Sequence, residues 1–301
     1  MDSQLTSSAI SLQNILFATD FSVCSELALS YATALCQRYG SVLYTAHVVR
    51  EELSDVQPPD PFYLLHSAQR KMQSLSRSGQ LAEIRHHELL REGDVSPVLC
   101  ELIEGLGIDL LVLGTRGRGG IKKLLLGSIA EEIVGQVSCP VWTVGPQVST
   151  ENAARGVKKI VYAADLQRGS DRALAFALGM AAQERAHLTL VHVVKPLSDT
   201  PGDYIEAAVD ASRKQIRELV PSGVPIETDF LVEVGLPADC IERVASLRKA
   251  DLIVMGAHHG SSARLSSHLP WVTPHYVVCH ANCPVVTVRE ARPEAARSEV
   301  A

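Results

Sequence analysis

The chain has 301 residues, of which 46% are hydrophobic and 21% charged, and these proportions fit two globular domains better than one. Its formal net charge of −6 argues against a general nucleic-acid-binding surface, and no apolar run approaches the length of a membrane span. The first residues lack the basic start of a secretory signal, so we expect a cytoplasmic protein that binds neither nucleic acid nor membranes.

Four segments of the first half recur in the second half. The pairs are "NILFATD" (14–20) with "KIVYAAD" (159–165), "LYTAHVV" (43–49) with "LTLVHVV" (188–194), "DLLVLG" (109–114) with "DLIVMG" (251–256) and "CPVWTV" (139–144) with "CPVVTV" (283–288). The offsets are 145, 145, 142 and 144 residues, so only small insertions and deletions separate two copies of one unit. Each copy is predicted to be a domain.

Within a copy, short runs rich in Val, Ile and Leu alternate with longer helical patterns. In the first copy the predicted order is β 14–20, α 22–39, β 41–49, α 62–78, β 83–91, α 95–107, β 109–114, α 128–137 and β 140–145. Continuous apolar strands separated by helices are typical of a parallel sheet covered on both faces. The predicted fold class is therefore α/β, with two tandem doubly wound domains that each hold a five-stranded parallel sheet.

The predicted domain boundaries follow from these patterns. The N-terminal domain takes residues 1–147, and a polar segment containing Gly156 is predicted to be a linker over 148–156. The C-terminal domain takes 157–290, and the polar residues 291–301 are predicted to form a flexible tail.

A glycine-rich, basic stretch, "GTRGRGGIKKLLLGS" (114–128), follows the fourth strand of the first copy. Ligands of open parallel sheets bind at the carboxyl ends of the strands, and glycines followed by a helix N-terminus suit phosphate groups. A simpler interpretation stays open, because Ser128 and Glu131 have the spacing of a capping box that needs no ligand.

The spacing of this stretch resembles a known signature. Gly114, two residues, Gly117, nine residues and then Gly127-Ser128 match the pattern G-x2-G-x9-G-(S/T) of ATP-binding universal stress proteins. The segments "LFATDFS", "HVV" and "CPVWTV" are also similar to that family, and the resemblance covers nearly the whole chain as two tandem copies. It implies the universal stress protein fold, which is related to the adenine nucleotide alpha hydrolases.

The resemblance also implies an ATP site in the N-terminal domain, with bound Mg²⁺. Asp20 would face the ribose or the metal-bound phosphates, Ala18 would line the same cleft, and Val48 and Leu113 would contact adenine. The residues implied to follow the ribose and phosphates are Gly114, Arg116, Gly117, Gly127, Ser128, Ile129 and Ala130. From the residues alone, Asp20 could also end a strand and help to cap the next helix, although its place at the end of a strand favours binding. His47 is interpreted as a hydrogen-bonded core residue, as is its repeat His192.

The second copy departs from the signature. It keeps Asp165 and Gly256, but the offset of 144 places Trp271-Val272 where the first copy has Gly127-Ser128. An indole there would occupy the space that phosphates need, so the C-terminal domain is predicted not to bind ATP in the family manner.

The seven cysteines form no CxxC pair and are interpreted as buried free thiols. Cys279 and Cys283 lie near His275 and His280, but their spacing favours a packed helix face over a zinc site.

Three functions remain open at this stage. The first is an ATP-binding stress-response module with one competent site and a degenerate second domain. The second is an ATP-using enzyme, although no catalytic residues can be assembled from motifs and at most slow hydrolysis or self-phosphorylation is expected. The third is a nucleotide-free scaffold. The resemblance further implies that the last strands of the two domains, Val141–Val144 and Val285–Val288, pair within the chain, and a homodimer is a further expectation.

Overall fold

The computed structural model describes residues 10–50, 61–115, 128–166, 171–196, 201–257 and 272–289. The chain divides into two compact units, with the boundary between Arg155 and Gly156. Each unit contains one sheet whose strands are all parallel, so the predicted fold class is confirmed.

The first unit places its strands in the order β3-β2-β1-β4-β5. Its elements are β1 (Asn14–Ala18), α1 (Val23–Tyr39), β2 (Val42–Val49), α2 (Pro61–Ser76), β3 (His86–Glu92), α3 (Val95–Gly105), β4 (Leu110–Gly114), α4 (Ser128–Gln136), β5 (Val141–Val144) and α5 (Glu151–Arg155). The chain moves outward from β1 to β3, then returns to β4 beside β1. Right-handed crossovers therefore place α1 and α2 on one face of the sheet and α3 and α4 on the other.

The second unit repeats this arrangement in the order β8-β7-β6-β9-β10. Its elements are β6 (Lys159–Ala163), α6 (Asp171–Glu184), β7 (His187–Val194), α7 (Gly202–Glu218), β8 (Thr228–Val234), α8 (Pro237–Arg248), β9 (Leu252–Ala257), α9 (Val272–His280) and β10 (Val285–Arg289). In both units the central strands are buried on both faces, as their continuous apolar sequences predict. In the described part of the chain, helices long and apolar enough to cross a membrane are absent.

The start of the sheet is held in the same way in both units. The backbone amides of Gln13 and Asn14 donate to Asp109 Oδ2, at 2.7 and 2.9 Å. In the second unit the amides of Lys158 and Lys159 donate to Asp251 Oδ2, both at 2.9 Å. The aspartate that opens each "DL(L/I)V" segment therefore ties the amino end of the first strand to the strand beside it.

The segment predicted to be a linker contains a short helix. The helix α5 spans Glu151–Arg155, and Ala153 is buried. Just before it, the carbonyl of Ser149 accepts a hydrogen bond from the Tyr31 hydroxyl at 2.7 Å. This segment is therefore packed against the first unit by contacts that its polar composition did not reveal.

The thiols follow the expectation from sequence. None of the seven, all of which lie in the described residues, forms a disulfide; five are buried as expected, whereas Cys24 and Cys100 are half-buried. Burial raises the pKa of Cys36, Cys139 and Cys283 to about 12, so these three are held as neutral thiols at physiological pH.

Candidate functional site

The strands β1 and β4 are neighbours whose following connections leave toward opposite faces of the sheet. Such a point creates a crevice at the carboxyl ends of the strands, where ligands of doubly wound domains bind. Ala18, the last residue of β1, lies in register with Leu113 of β4 and Ala46 of β2. The sheet thus brings Ala18 and Leu113, two of the predicted site residues, side by side at this crevice.

The turn that follows β1 is fixed by side-chain hydrogen bonds. The amide of Ser22 donates to Asp20 Oδ1 at 3.0 Å, and Ser22 Oγ caps α1 by accepting from the amide of Ser25 at 3.3 Å. Thr19 Oγ1 accepts from the amide of Phe21 and donates to Ser25 Oγ, both at 3.0 Å. One oxygen of Asp20 therefore supports the turn, as the interpretation from local sequence expected.

The second oxygen of Asp20 has a different environment. Oδ2 is buried and has no hydrogen-bond partner within the described residues, and the same is true of Oγ1 of Thr115, which follows β4. Buried carboxylate and hydroxyl oxygens are normally paired in native structures, so an unpaired one requires an explanation. Both orphaned oxygens follow the two strands that form the crevice.

Phe21 adopts a left-handed backbone conformation, with φ of +59°. For a bulky residue this conformation is an outlier that costs about 1–2 kcal/mol. The Phe21 ring packs on the His47 ring with 4.5 Å between centroids, and Lys71 Nζ lies 5.6 Å from the Phe21 centroid. Strain of this kind concentrates at functional sites, and here it occurs directly after Asp20.

His47 supports the end of β1 from the neighbouring strand. Its Nδ1 donates to the carbonyl oxygen of Thr19 at 2.7 Å, and His192 Nδ1 donates to the carbonyl of Ala164 at 2.9 Å. The hydrogen-bonded role expected from sequence is therefore confirmed for both histidines, which are half-buried. Because both units contain this bond, it belongs to the shared fold rather than to a ligand site of one unit.

Gly114 has a packing reason for being glycine. A Cβ at this position would lie 2.6 Å from the carbonyl carbon and oxygen of Cys24 and 2.9 Å from the amide nitrogen of Ser25. The first turn of α1 therefore passes so close to the end of β4 that only glycine fits without a backbone shift.

The remaining predicted residues divide into those that the structure describes and those outside it. Val48 is half-buried near the carboxyl end of β2, and Ser128 begins α4 after the fourth strand, with Ile129 half-buried and Ala130 buried in its first turn. Arg116, Gly117 and Gly127 lie outside the described residues, as does Trp271 of the second unit.

Three residues beside this crevice were not predicted from the sequence. Thr19 donates a hydrogen bond to the hydroxyl of Ser25, and Phe21 has a left-handed backbone conformation. Thr115 has a buried hydroxyl oxygen with no partner within the described residues. Sequence patterns give no signal for them, because Phe is a rare choice for a left-handed position and a threonine after a strand is common.

Comparison with known proteins decides the family. The profile of the Universal stress protein family matches residues 11–145 and again residues 156–289. The chain belongs to the universal stress protein family.

Two curated relatives each match a stretch of about one domain in length. A universal stress protein of Thermus aquaticus is 35% identical over 136 residues, which is 44% of this chain and 98% of the relative. Universal stress protein MJ0531 of Methanocaldococcus jannaschii is 28% identical over 138 residues, covering 44% of this chain and 81% of the relative. A solved structure of a universal stress protein from Archaeoglobus fulgidus covers 93% of this chain and 99% of its own, with a TM-score of 0.67 and 19% identity, and shares the fold.

The second unit keeps part of the crevice. The helices α4 and α9 begin at Ser128 and Val272, which are 144 residues apart. The offset that the sequence repeat gave near the last strand therefore also holds at the start of this helix. Gly256 lies at the corresponding end of β9, where Gly114 lies in β4.

Proposed function

We propose that the N-terminal domain binds ATP with Mg²⁺ and that the C-terminal domain does not bind it in the same manner. The observation that carries this proposal is Asp20, whose Oδ2 is buried without a partner within the described residues, at the carboxyl end of β1. The signature spacing from Gly114 to Ser128 supports it, because the second half of the signature coincides with the start of α4.

The proposed contacts follow the crevice. Ala18, Val48 and Leu113 would contact the base, and Asp20 would accept from the ribose or from water bound to Mg²⁺. The amides at Gly127 and Ser128, followed by Ile129 and Ala130, would receive the terminal phosphates at the helix start. Arg116 and Gly117 would lie along the ribose and phosphates.

The protein would then act as a nucleotide-dependent regulatory module in a stress response. A nucleotide changes the population of a partner-binding form only if it binds two forms of the protein unequally. We also propose that the last strands, Val141–Val144 and Val285–Val288, pair within the chain. Each is the last strand in the order of its own unit, and a strand in that place needs a partner to cover its open side.

The proposal is tested by calorimetric titration of the full chain with Mg-ATP. We expect one nucleotide per chain and binding at least about tenfold weaker in Asp20→Asn, because a charged acceptor is lost while Oδ1 can still accept from Ser22. Asp165→Asn is the matched control and should bind like the wild type.

A second variant introduces into the N-terminal domain the residue that the C-terminal domain has at the corresponding position. Gly127→Trp introduces the residue that stands at position 271 and should abolish binding. The proposal fails if Asp20→Asn and Gly127→Trp both bind normally, or if Asp165→Asn weakens binding as much as Asp20→Asn.

A further inference from the structure

A groove with a volume of about 520 Å³ lies between α1 and α2 of the first unit. This volume is within the range of small-molecule sites. Its lining combines apolar side chains with two charges of opposite sign and several hydroxyls. The lining includes Phe17, Glu26, Leu29, Lys71, Leu75 and Ser78.

The groove lies on the opposite face of the sheet from the predicted nucleotide contacts. Phe17 and Thr19 line it, and side chains alternate along a strand, so Ala18 points to the other face. The groove therefore opens on the face opposite Ala18, and it shares Thr19 and Phe21 with the turn that follows β1.

The floor of the groove is apolar. Phe17 and Leu29 are each only 1% exposed, and Leu75 is half-buried above them. Phe17 and Leu29 form the base of the groove, and Leu75 exposes apolar surface against which an aryl or short alkyl group can pack.

The α2 side of the groove is polar and cationic. Lys71 lies on α2 with its ammonium 5.6 Å from the Phe21 centroid, and Ser78 follows the end of this helix. Ser78 Oγ is buried and makes no hydrogen bond within the described residues. Lys71 and Ser78 therefore both line the α2 side of the groove, and the Lys71 ammonium can donate to an anionic oxygen.

The second unit shows which of these residues the fold does not require. The buried pairs Ala68 with Ser212 and Met72 with Ile216 align α2 with α7 at an offset of 144 residues. At this offset Gln215 corresponds to Lys71. The β-strand offset of 145 places Tyr162 at the position of Phe17.

This comparison separates packing from ligand recognition. Glutamine is accepted at the position of Lys71 in a domain of the same fold, so the cation is not needed for folding. Tyr162 is buried at the position of Phe17 and carries a hydroxyl that Phe17 lacks.

From the cavity, the orphaned hydroxyl, the cation and the contrast between the two units, we infer that this groove binds a small amphipathic carboxylate. The apolar body packs on Phe17, Leu29 and Leu75. The carboxylate accepts from Lys71 on the α2 side, away from Glu26 on the α1 side.

The test uses the full chain and 3-phenylpropionate, with binding followed by calorimetry and by shifts of methyl NMR signals. Lys71→Gln should weaken binding about tenfold or more, because a charge-assisted hydrogen bond is lost. Glu26→Gln should tighten it, because a like charge is removed from the same groove. The uncharged 3-phenylpropanol should bind more weakly than the carboxylate and respond to neither substitution.

Arg70→Gln is the matched control, since it removes the same charge from a neighbouring exposed position that does not line the groove. Equal weakening by Arg70→Gln and Lys71→Gln would overturn the inference, because it would indicate general attraction. Tighter binding in Lys71→Gln, or no binding of either 3-phenylpropionate or octanoate at millimolar concentration, would also overturn it. Phe17→Tyr, which introduces the residue of the second unit, should reduce binding while the protein stays folded.

Discussion

Two different constraints can require glycine at position 114, the approach of a ligand and the close packing of a helix, and the sequence pattern does not distinguish them. In the ATP-binding signature, glycine at this position is attributed to the approach of a ligand. In this structure a Cβ at Gly114 would lie 2.6 Å from the carbonyl atoms of Cys24, in the first turn of α1. The second copy keeps glycine at position 256 although it lacks the later glycines of the signature, which agrees with a packing requirement.

Gly114→Ala is expected to lower the free energy of unfolding by about 1–3 kcal/mol, because the added methyl forces α1 and β4 apart. Urea unfolding of the full chain measures this effect. Gly105→Ala is the control, since a Cβ at Gly105 meets no atom within 4 Å, and it should be neutral or slightly stabilising. If both variants unfold at the wild-type midpoint, the close approach is not a constraint.

At the scale of elements, the ends of equivalent helices differ between the two copies. After α1 and α3 the left-handed position is filled by Gly40 and Gly107, with φ of +67° and +57°. After α6 and α8 the same position is filled by Arg185 and Lys249, with φ of +50° and +53°. Glycine adopts this conformation without steric cost, whereas other residues do not.

Arg185→Gly and Lys249→Gly should therefore each raise the free energy of unfolding by about 0.5–1 kcal/mol. Both side chains are exposed, so little packing is lost. The reverse changes, Gly40→Arg and Gly107→Lys, should destabilise the protein by a similar amount, although both sites have space for a Cβ. Chemical denaturation of the four variants measures these changes. The explanation fails if the substitutions to glycine and the substitutions from glycine change the free energy of unfolding in the same direction.

The central apolar strands were well predicted because burial on both faces leaves a continuous run, as in the expected 109–114 and the observed Leu110–Gly114. The edge strand β3 begins at His86 rather than at residue 83, since an exposed edge gives a weak pattern. The sequence predicted that the site lies at the carboxyl ends of the strands, but not the arrangement of the side chains there. The left-handed Phe21 and the orphaned oxygens of Asp20 and Thr115 depend on neighbours that lie far apart in the sequence.

For the whole molecule, the proposed pairing of the last strands makes a prediction about concentration. If Val141–Val144 and Val285–Val288 cover each other within one chain, their amides should stay protected from hydrogen exchange when the protein is strongly diluted. Protection that depends on a second chain should fall on dilution by mass action. Exchange followed by mass spectrometry distinguishes the two cases, and loss of protection in both strands would reject pairing within the chain.

The hydrogen bonds that Asp109 and Asp251 accept from backbone amides affect which parts of a duplicated domain can change in sequence. Each tie fixes the start of the first strand against its neighbour from the amino edge of the sheet, opposite the crevice. The register of the central strands is therefore fixed in part by bonds that lie far from the loops at the carboxyl edge. After duplication, those loops could lose a glycine or gain an indole without unfolding the domain, so one copy was free to diverge while the other kept the signature.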